Sequence, residues 1–443
     1  ETKIPDIVMF INGIPVVVGE LKTPIRPSIS WLDGAHEIHD IYENSVPQLF
    51  VPNILSFASE GKEFYFGAIR SPLQYWAPWR LEGGEGAVAA SLGLSDVGKQ
   101  VDDLLSPQRL LDILQHFSLF TSNKRKQRIK MMCRFQQYEG ANRIVDRVIA
   151  GKIKKGLIWH FQGSGKSLLM VFAAQKLRKS SDLKSPTVII LVDRTDLDTQ
   201  ISSTFNAADV PNVVTTDSIK ELQSLLEHDT RKIIISMIYK FRDAQPNMNT
   251  RDNIIIMVDE AHRTQEGDLG RQMRAALPNA FLFGMTGTPV NKLDKNTFWA
   301  FGAREDDGGY LSRYTFQESI RDSATLPLHF EPRLVDVHVD KEALDKAFDA
   351  FKEAAALSDE EADALNKKSA KMSAFLKSPE RVTKIVEDIA DHFKEKVGPH
   401  GLKAMIVTPD RQACAQYKEE LDKHFPEEAS AVVISTTAND ALE

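Results

Sequence analysis

The chain has 443 residues, 42% of them hydrophobic and 26% charged, enough for about three domains with ample core. Its net charge of −7 gives no overall signature of a nucleic-acid binder, and no apolar run reaches the roughly 18 residues of a membrane helix. Two cysteines, Cys133 and Cys414, exclude a disulfide framework and fit a reducing, cytoplasmic setting. The chain opens on Glu-Thr-Lys with no secretory signal and leads straight into a strand, so its true N-terminus is expected upstream.

Residues 4 to 22 read as a hairpin. Ile4 to Ile11 forms one strand, Asn12-Gly13 the turn, and Ile14 to Leu21 the return strand. With a two-residue loop, Asp6 pairs with Gly19 and Glu20 faces away. One extra residue pairs Asp6 with Glu20 instead. Gly19 inside a strand marks a bulge, so Asp6, Glu20 and Lys22 are expected to converge. Two carboxylates on a half-buried face are costly unless they serve a charge such as Mg²⁺, with Lys22 orienting water or neutralising developing charge. Pro5-Asp6, a hairpin and Glu20-Leu21-Lys22 resemble the PD-(D/E)xK nuclease family. The resemblance makes Asp6 and Glu20 metal ligands and all three residues catalytic. An ordinary strand with solvated ends is the plainer alternative.

Residues 33 to 44 read as a helix with His36, Glu37, His39 and Tyr42. Some nucleases of that family carry Gln-x-x-x-Tyr here. Glu37 and Tyr42 differ in spacing and first residue, so the motif is not counted, and the histidines read as surface residues. Asn53 to Ala58 and Glu63 to Ile69 extend the sheet, and Trp76 and Trp79 pack beneath a loop. A Gly, Ala and Ser-rich stretch from 82 to 99 reads as a linker, with a boundary near 100. Ser106-Pro107 caps a helix to Phe117. Lys124 to Lys130 holds five basic residues in seven: a phosphate-contacting patch, or a solvated loop or helix end.

The most informative stretch is Gly156-Leu-Ile-Trp-His-Phe-Gln-Gly-Ser-Gly-Lys-Ser167. A buried strand, Leu157 to Phe161, runs into a glycine turn and then a helix over Leu168 to Leu177, starting near Lys166. This is a phosphate-binding loop for ATP. Gly163, Ser164 and Gly165 turn backbone N–H groups toward phosphate oxygens, and the helix N-terminus adds its positive dipole. Lys166 reaches the β- and γ-phosphates, and the Ser167 hydroxyl sits on Mg²⁺. His160 stands where the usual pattern has glycine.

Thr187 to Val192, Val213 to Thr215, Ile233 to Met237 and Ile254 to Val258 read as further strands, most separated by helices. That alternation predicts an α/β, doubly wound parallel sheet. Ile254 to Val258 delivers Asp259-Glu-Ala-His-Arg263 at its carboxyl end. Asp259 is expected to hold Mg²⁺, Glu260 to polarise the attacking water, and His262 and Arg263 to relay the nucleotide state. Phe281 to Met285 ends in Thr286-Gly-Thr-Pro289, where Thr286 and Thr288 fit a γ-phosphate sensor.

Together these motifs resemble superfamily 2 helicases and translocases of the DEAH-box kind, built from paired RecA-like domains. The resemblance implies a glutamine upstream of the loop that bonds adenine; Gln136 is the candidate and Gln137 the rival. With the hairpin in front, the arrangement resembles the motor and nuclease (R) subunit of type I restriction enzymes. Pro5-Asp6-Ile-Val, Gly19-Glu-Leu-Lys22, Gly156-Leu-Ile-Trp-His, Gln162-Gly-Ser-Gly-Lys-Ser167, Val192-Asp-Arg-Thr-Asp-Leu197 and Thr286-Gly-Thr-Pro289 carry it. It implies an ATP-dependent endonuclease that translocates double-stranded DNA, joined to methyltransferase (M) and specificity (S) subunits, with no membrane partner. A stand-alone repair helicase with an accessory nuclease is the same-class alternative, and a DNA-binding scaffold with degenerate sites the different-class one.

The expected domains are a PD-(D/E)xK nuclease at 1–100, a first RecA-like domain at 101–330, and a helical insertion with the start of a second RecA-like domain at 331–443. Tyr314-Thr-Phe-Gln-Glu and Leu326-Pro327 fit the passage out of the first motor domain. Lys341 to Lys396 reads as charged and helical, Leu402 to Val407 and Val432 to Ser435 as strands, and Arg411 to His424 as a helix. The family's later motifs, with an arginine reaching the γ-phosphate, are not found in 436 to 443. The chain therefore reads as a fragment that binds ATP but hydrolyses it poorly alone.

Overall fold

The structure is a computed structural model and describes residues 3–81, 94–122, 128–192, 201–206, 208, 210–261, 268–289, 297–333 and 376–434. The chain divides into two compact units, Glu1–Pro327 and Leu328–Glu443.

The first unit begins with a five-stranded sheet in the order β1-β2-β3-β4-β5. Its strands are β1 (Ile7–Ile11), β2 (Ile14–Leu21), β3 (Leu55–Ser59), β4 (Phe64–Gly67) and β5 (Ala77–Pro78). β1 starts at Ile7 rather than Ile4, because Pro5 offers no N–H to a ladder. Asn12 and Gly13 both have positive φ, at 50° and 79°, as a two-residue primed hairpin turn requires. The expected bulge exists, but not at Gly19. Phe10 pairs with Pro15 and Met9 with Val17, so Val16 is the extra residue, and beyond it Ile7 pairs with Gly19. Gly19 has a different cause: a Cβ there would run into the Phe57 ring.

β2 and β3 are parallel, so the chain must cross over between them. The helix Trp31–His36 runs directly into a π-helical turn, Glu37–Tyr42, in that crossover. Trp76 and Trp79 are 4% and 0% exposed and pack in the core. The boundary expected near residue 100 falls inside a helix, Leu94–Leu104. Pro107 opens the next helix, Pro107–His116, but the Ser106 hydroxyl donates to the Asp103 carbonyl instead of capping.

The basic stretch, expected as a phosphate-contacting patch or a solvated loop or helix end, has its C-terminal part in an antiparallel hairpin, β6 (Ser118–Ser122) and β7 (Arg128–Met132). Lys130 is buried, and its ammonium donates to the carbonyls of Asn53 and Ile54 at 2.8 Å each. Burial lowers its pKa to about 8. Residues 124–127 lie outside the described residues. Trp79 Nε1 donates to Asp103 at 2.7 Å and Arg80 pairs with Asp322. One continuous core then runs from Val17, Leu55 and Phe57 through Leu104, Phe117 and Tyr138 to Phe172 and Val188.

The second sheet of this unit is parallel throughout, with seven strands in the order β10-β11-β9-β12-β13-β8-β14. They are β8 (Lys155–His160), β9 (Thr187–Val192), β10 (Val213–Thr215), β11 (Ile233–Met237), β12 (Ile254–Val258), β13 (Phe281–Thr286) and β14 (Ser312–Tyr314). All residues of β9, β11, β12 and β13 are buried, so their sequences read as unbroken apolar runs, as strands covered on both faces do. β12 and β8 flank β13, which brings their carboxyl ends to one edge, where a parallel sheet carries its ligand loops.

The second unit holds the helices Pro379–His392 and Arg411–Leu421, packed through Val382, Val386 and Tyr417. Asp410 caps the latter helix by accepting from the Ala413 N–H at 2.8 Å. The strands expected at Leu402 to Val407 and from Val432 do not form among the described residues. Met405, Val407 and Val433 are 86%, 81% and 90% exposed. An apolar run becomes a strand only where a ladder partner exists, and none is paired with these residues.

Candidate functional site

Two clusters of chemistry lie in the first unit. The first sits at the open end of β1 and β2. Because Ile7 faces Gly19, the next positions outward bring Asp6 beside Glu20. Asp6 accepts from the Leu21 N–H at 2.8 Å, and its own N–H lies 3.4 Å from Glu20 Oε2. The Lys22 N–H donates to the Ser59 carbonyl at 2.8 Å. That bond extends the β2–β3 ladder and fixes the lysine. Lys22 Nζ is 3.0 Å from Glu20 Oε1 and 2.7 Å from Glu37 Oε1.

The electrostatics follow from burial and charge. Glu20 is only 4% exposed, and burial, with the neighbouring Glu37, raises its pKa above the usual carboxylate range against the pull of Lys22. Burial alone would lower Lys22, but its pairing with Glu37 and Glu20 outweighs that and raises it. Tyr42 is pushed up to about 12, first by burial and then by Glu20 and Glu37.

Glu37 and Tyr42 belong to this cluster, although their spacing kept them out of the sequence motif. The Tyr42 hydroxyl lies 3.5 Å from Glu37 Oε2. The cause is the π-helical turn that carries both residues. His36 and His39 each pair with exposed Asp40 at 2.7 Å, as surface residues do.

The second cluster surrounds the glycine turn after β8. Gly163 and Gly165 have φ of 83° and 84°, values that side-chain-bearing residues rarely adopt. The helix Lys166–Lys179 begins immediately after them, with Ser167 in its first turn. Lys166 is 9% exposed, and its ammonium donates to the His160 carbonyl at 3.3 Å. Burial lowers its pKa, while Glu260 and Asp259 work the other way. The Ser164 hydroxyl is buried without a partner. A sequestered ammonium and an orphaned hydroxyl beside a glycine turn fit an anionic ligand such as a phosphate.

His160 takes the place of the usual glycine because it serves packing. It is fully buried, its Nε2 lies 2.8 Å from the Ser312 hydroxyl of β14, and burial drives its pKa to about 3. It is therefore neutral at pH 7 and ties the loop to the edge strand.

Asp259 is 6% exposed and accepts from the Glu260 N–H at 3.0 Å. Burial first, and then Glu260, raise its pKa against Lys166. Glu260 has φ of 47°, a left-handed conformation that costs a non-glycine residue about 1–3 kcal/mol and is common at working sites. Thr286 is buried, and its hydroxyl accepts from the Thr288 N–H at 3.0 Å. A Cβ on Gly287, between them, would lie 3.5 Å from Lys166 Nζ. The three loops after β8, β12 and β13 thus meet around Lys166. His262 and Arg263, and the stretch from Asp193 to Leu197, lie outside the described residues.

The two glutamines part company. Gln136, the expected adenine contact, is buried and donates to the Ser164 carbonyl at 3.3 Å. Gln137 donates to the Gly165 carbonyl at 3.1 Å and accepts from the Arg134 N–H at 2.8 Å. Gln137, not Gln136, lines a cavity of about 1310 Å³ with Arg134, Gly163, Gly165, Arg70 and Tyr75. Sequence alone favoured Gln136 over Gln137, although neighbours on a helix differ only in which way each points.

Residues 136–363 match the family model described as SWI2/SNF2 ATPase. The chain belongs to the SWI2/SNF2 ATPase family. Residues 1–75 of this ATPase-family chain match the model described as type I restriction enzyme R protein N terminus. It is 32% identical over 96% of its length to the type I restriction enzyme HindI endonuclease subunit of Haemophilus influenzae, covering 41% of that protein. It is 29% identical over 97% of its length to the putative type I restriction enzyme MjaIXP endonuclease subunit of Methanocaldococcus jannaschii, covering 42% of it. The chain thus spans less than half the length of these curated relatives. Among solved structures, the UvsW helicase from bacteriophage T4 aligns with 44% of this chain and 70% of its own, at 16% identity and a TM-score of 0.30. Among the described residues, no helix is long and apolar enough to cross a membrane.

Proposed function

We propose that this SWI2/SNF2-family chain is the nuclease and motor part of the restriction (R) subunit of a type I restriction-modification enzyme. In this reading it uses ATP to translocate double-stranded DNA and cuts it, working in the cytoplasm with M and S subunits. Residues 1–100 form the nuclease, 101–330 the first RecA-like domain, and 331–443 an insertion and the start of a second. The observation that carries the reading is that a single compact unit contains both the Asp6–Glu20–Lys22 cluster and the Lys166 loop facing Asp259 and Glu260.

Asp6 and Glu20 would hold Mg²⁺, which takes one or two carboxylates and keeps several waters. Their close approach and the raised pKa of Glu20 fit a site that relaxes when a cation arrives. A bound Mg²⁺ supplies an activated water and charge stabilisation at phosphorus. Lys22 orients the attacked phosphate and offsets its developing charge.

At the motor site, Gly163, Ser164 and Gly165 cradle ATP phosphates, Lys166 binds the β- and γ-phosphates, and Ser167 and Asp259 would hold the Mg²⁺ that accompanies ATP. Glu260 polarises the attacking water. Thr286 and Thr288 read the γ-phosphate beside Lys166, and His262 and Arg263 relay its loss. Gln137 binds adenine: each end of its amide keeps one further hydrogen-bonding position, which matches the paired N6 and N7 of the base. Gln137→Ala is expected to raise the KM for ATP about 10-fold, the loss of one bidentate base contact. Gln136→Ala should change it less, and steady-state ATPase assays of both variants check the order.

Closed circular DNA carrying the recognition site tests the whole reading. Linear product that requires ATP, Mg²⁺ and the M and S subunits together supports it. Equal cutting without those subunits would favour a stand-alone repair nuclease instead.

A further inference from the structure

We propose that Glu37 is a positioning residue for the DNA-cutting site: it anchors Lys22 so that Glu20 is free to take a divalent cation. The inference rests on the nuclease reading of Asp6, Glu20 and Lys22.

Both carboxylate oxygens of Glu20 are already engaged in that site. Glu20 Oε1 accepts from Lys22 at 3.0 Å, and Oε2 lies 3.4 Å from the Asp6 N–H. To serve a metal, Glu20 must give up Lys22. The Lys22 side chain is only 18% exposed, and an ammonium so placed is costly to leave unpaired. Glu37 removes that cost. Its carboxylate already sits 2.7 Å from Lys22 Nζ, closer than Glu20, and its side chain is 37% exposed. Lys22 has three donors, so it can hold both partners and then keep Glu37 alone. With Asp6 beside Glu20, the site holds three carboxylates and one ammonium, a net of two negative charges that a divalent cation neutralises.

The backbone is shaped for this contact. In an ordinary α-helix, residues five apart point about 140° away from each other. Glu37 and Tyr42 are five apart, yet their side chains lie 3.5 Å from each other. The π-helical turn Glu37–Tyr42 widens the helix so that i and i+5 share a face. Such turns are uncommon and recur at functional sites. Here the turn aims Glu37 at Lys22 and lets the Tyr42 hydroxyl, which also lies 3.5 Å from the Ile4 carbonyl, steady it.

Calorimetric titration of Mn²⁺ into the full chain without nucleotide tests this as a double-mutant cycle. Asp6→Ala identifies the binding that belongs to the site. Glu37→Gln is expected to weaken that binding about 10-fold when Lys22 is present, the usual effect of losing a partner behind a ligand. In a Lys22→Met chain the same substitution should cost less than about 2-fold, because its effect passes through the lysine. Glu37→Asp, which keeps the charge, should recover part of the loss, and ATPase activity should be unchanged in both Glu37 variants. An equal loss with and without Lys22 would make Glu37 a ligand or a mere field source and overturn the anchor role alone. If Asp6→Ala leaves both Mn²⁺ binding and DNA cutting intact, the nuclease reading itself falls.

Discussion

Lys166→Ala is expected to abolish ATP-driven activity, with DNA-stimulated hydrolysis down by at least 10²–10³-fold, roughly the cost of deleting a transition-state charge donor. The expectation rests on where the ammonium sits. Lys166 is 9% exposed, so its charge acts in a low-dielectric setting where it is worth more than in water. Asp259 and Glu260 are close enough to perturb it. Without the lysine, two acidic side chains would face the γ-phosphate with no cation between them, and Asp259 would lose the neighbouring charge that lowers its pKa, keeping only the Glu260 N–H. Nucleotide binding should therefore weaken as well as turnover slow. Titration with a fluorescent ATP analogue separates the two effects, and thermal unfolding checks that the sheet survives. Wild-type hydrolysis in the Lys166→Ala protein would remove the glycine loop from the mechanism.

The parallel sheet was legible because most of its strands are buried on both faces. Thr187–Val192, Val213–Thr215, Ile233–Met237 and Ile254–Val258 form where the apolar runs placed them. β14, Ser312–Tyr314, was not legible: an edge strand of three residues held partly by the His160–Ser312 bond has no apolar run to show. The N-terminal hairpin was legible in register but not in cause. Its extra residue is Val16, which nothing in the sequence distinguishes from its valine neighbours, while Gly19 is small because Phe57 covers it. Lys130 looked like one more surface charge, since the carbonyls it satisfies belong to residues 53 and 54, far away in sequence. Glu37 stayed outside the motif because its residue type and its spacing to Tyr42 differ from Gln-x-x-x-Tyr. At a helical period near 3.6 that spacing separates the two side chains, and the π-helical turn brings them together.

Lys22→Ala is expected to separate the two activities: cutting of circular DNA should fall by about 10²-fold or more, the scale of removing one group that stabilises developing charge, while ATP hydrolysis stays within about 2-fold of wild type. The first half follows from placement. Lys22 is in contact with both Glu20 and Glu37, so its ammonium is placed to offset charge on a phosphate attacked there. The second half follows from connectivity. The Lys22 backbone, not its side chain, makes the ladder bond to Ser59, so truncation leaves β2 and β3 paired. The core that joins the sheets runs through Val17, Leu55 and Phe57 and contains none of the lysine. Removing the ammonium also leaves Glu20 and Glu37 without their shared partner, which raises the pull of the site on a cation even as cutting fails. Mn²⁺ binding that holds or tightens while linear product disappears is the expected pattern. Cutting at the wild-type rate would remove Lys22 from the chemistry, and loss of ATPase together with cutting would mean that the lysine supports the fold rather than the reaction.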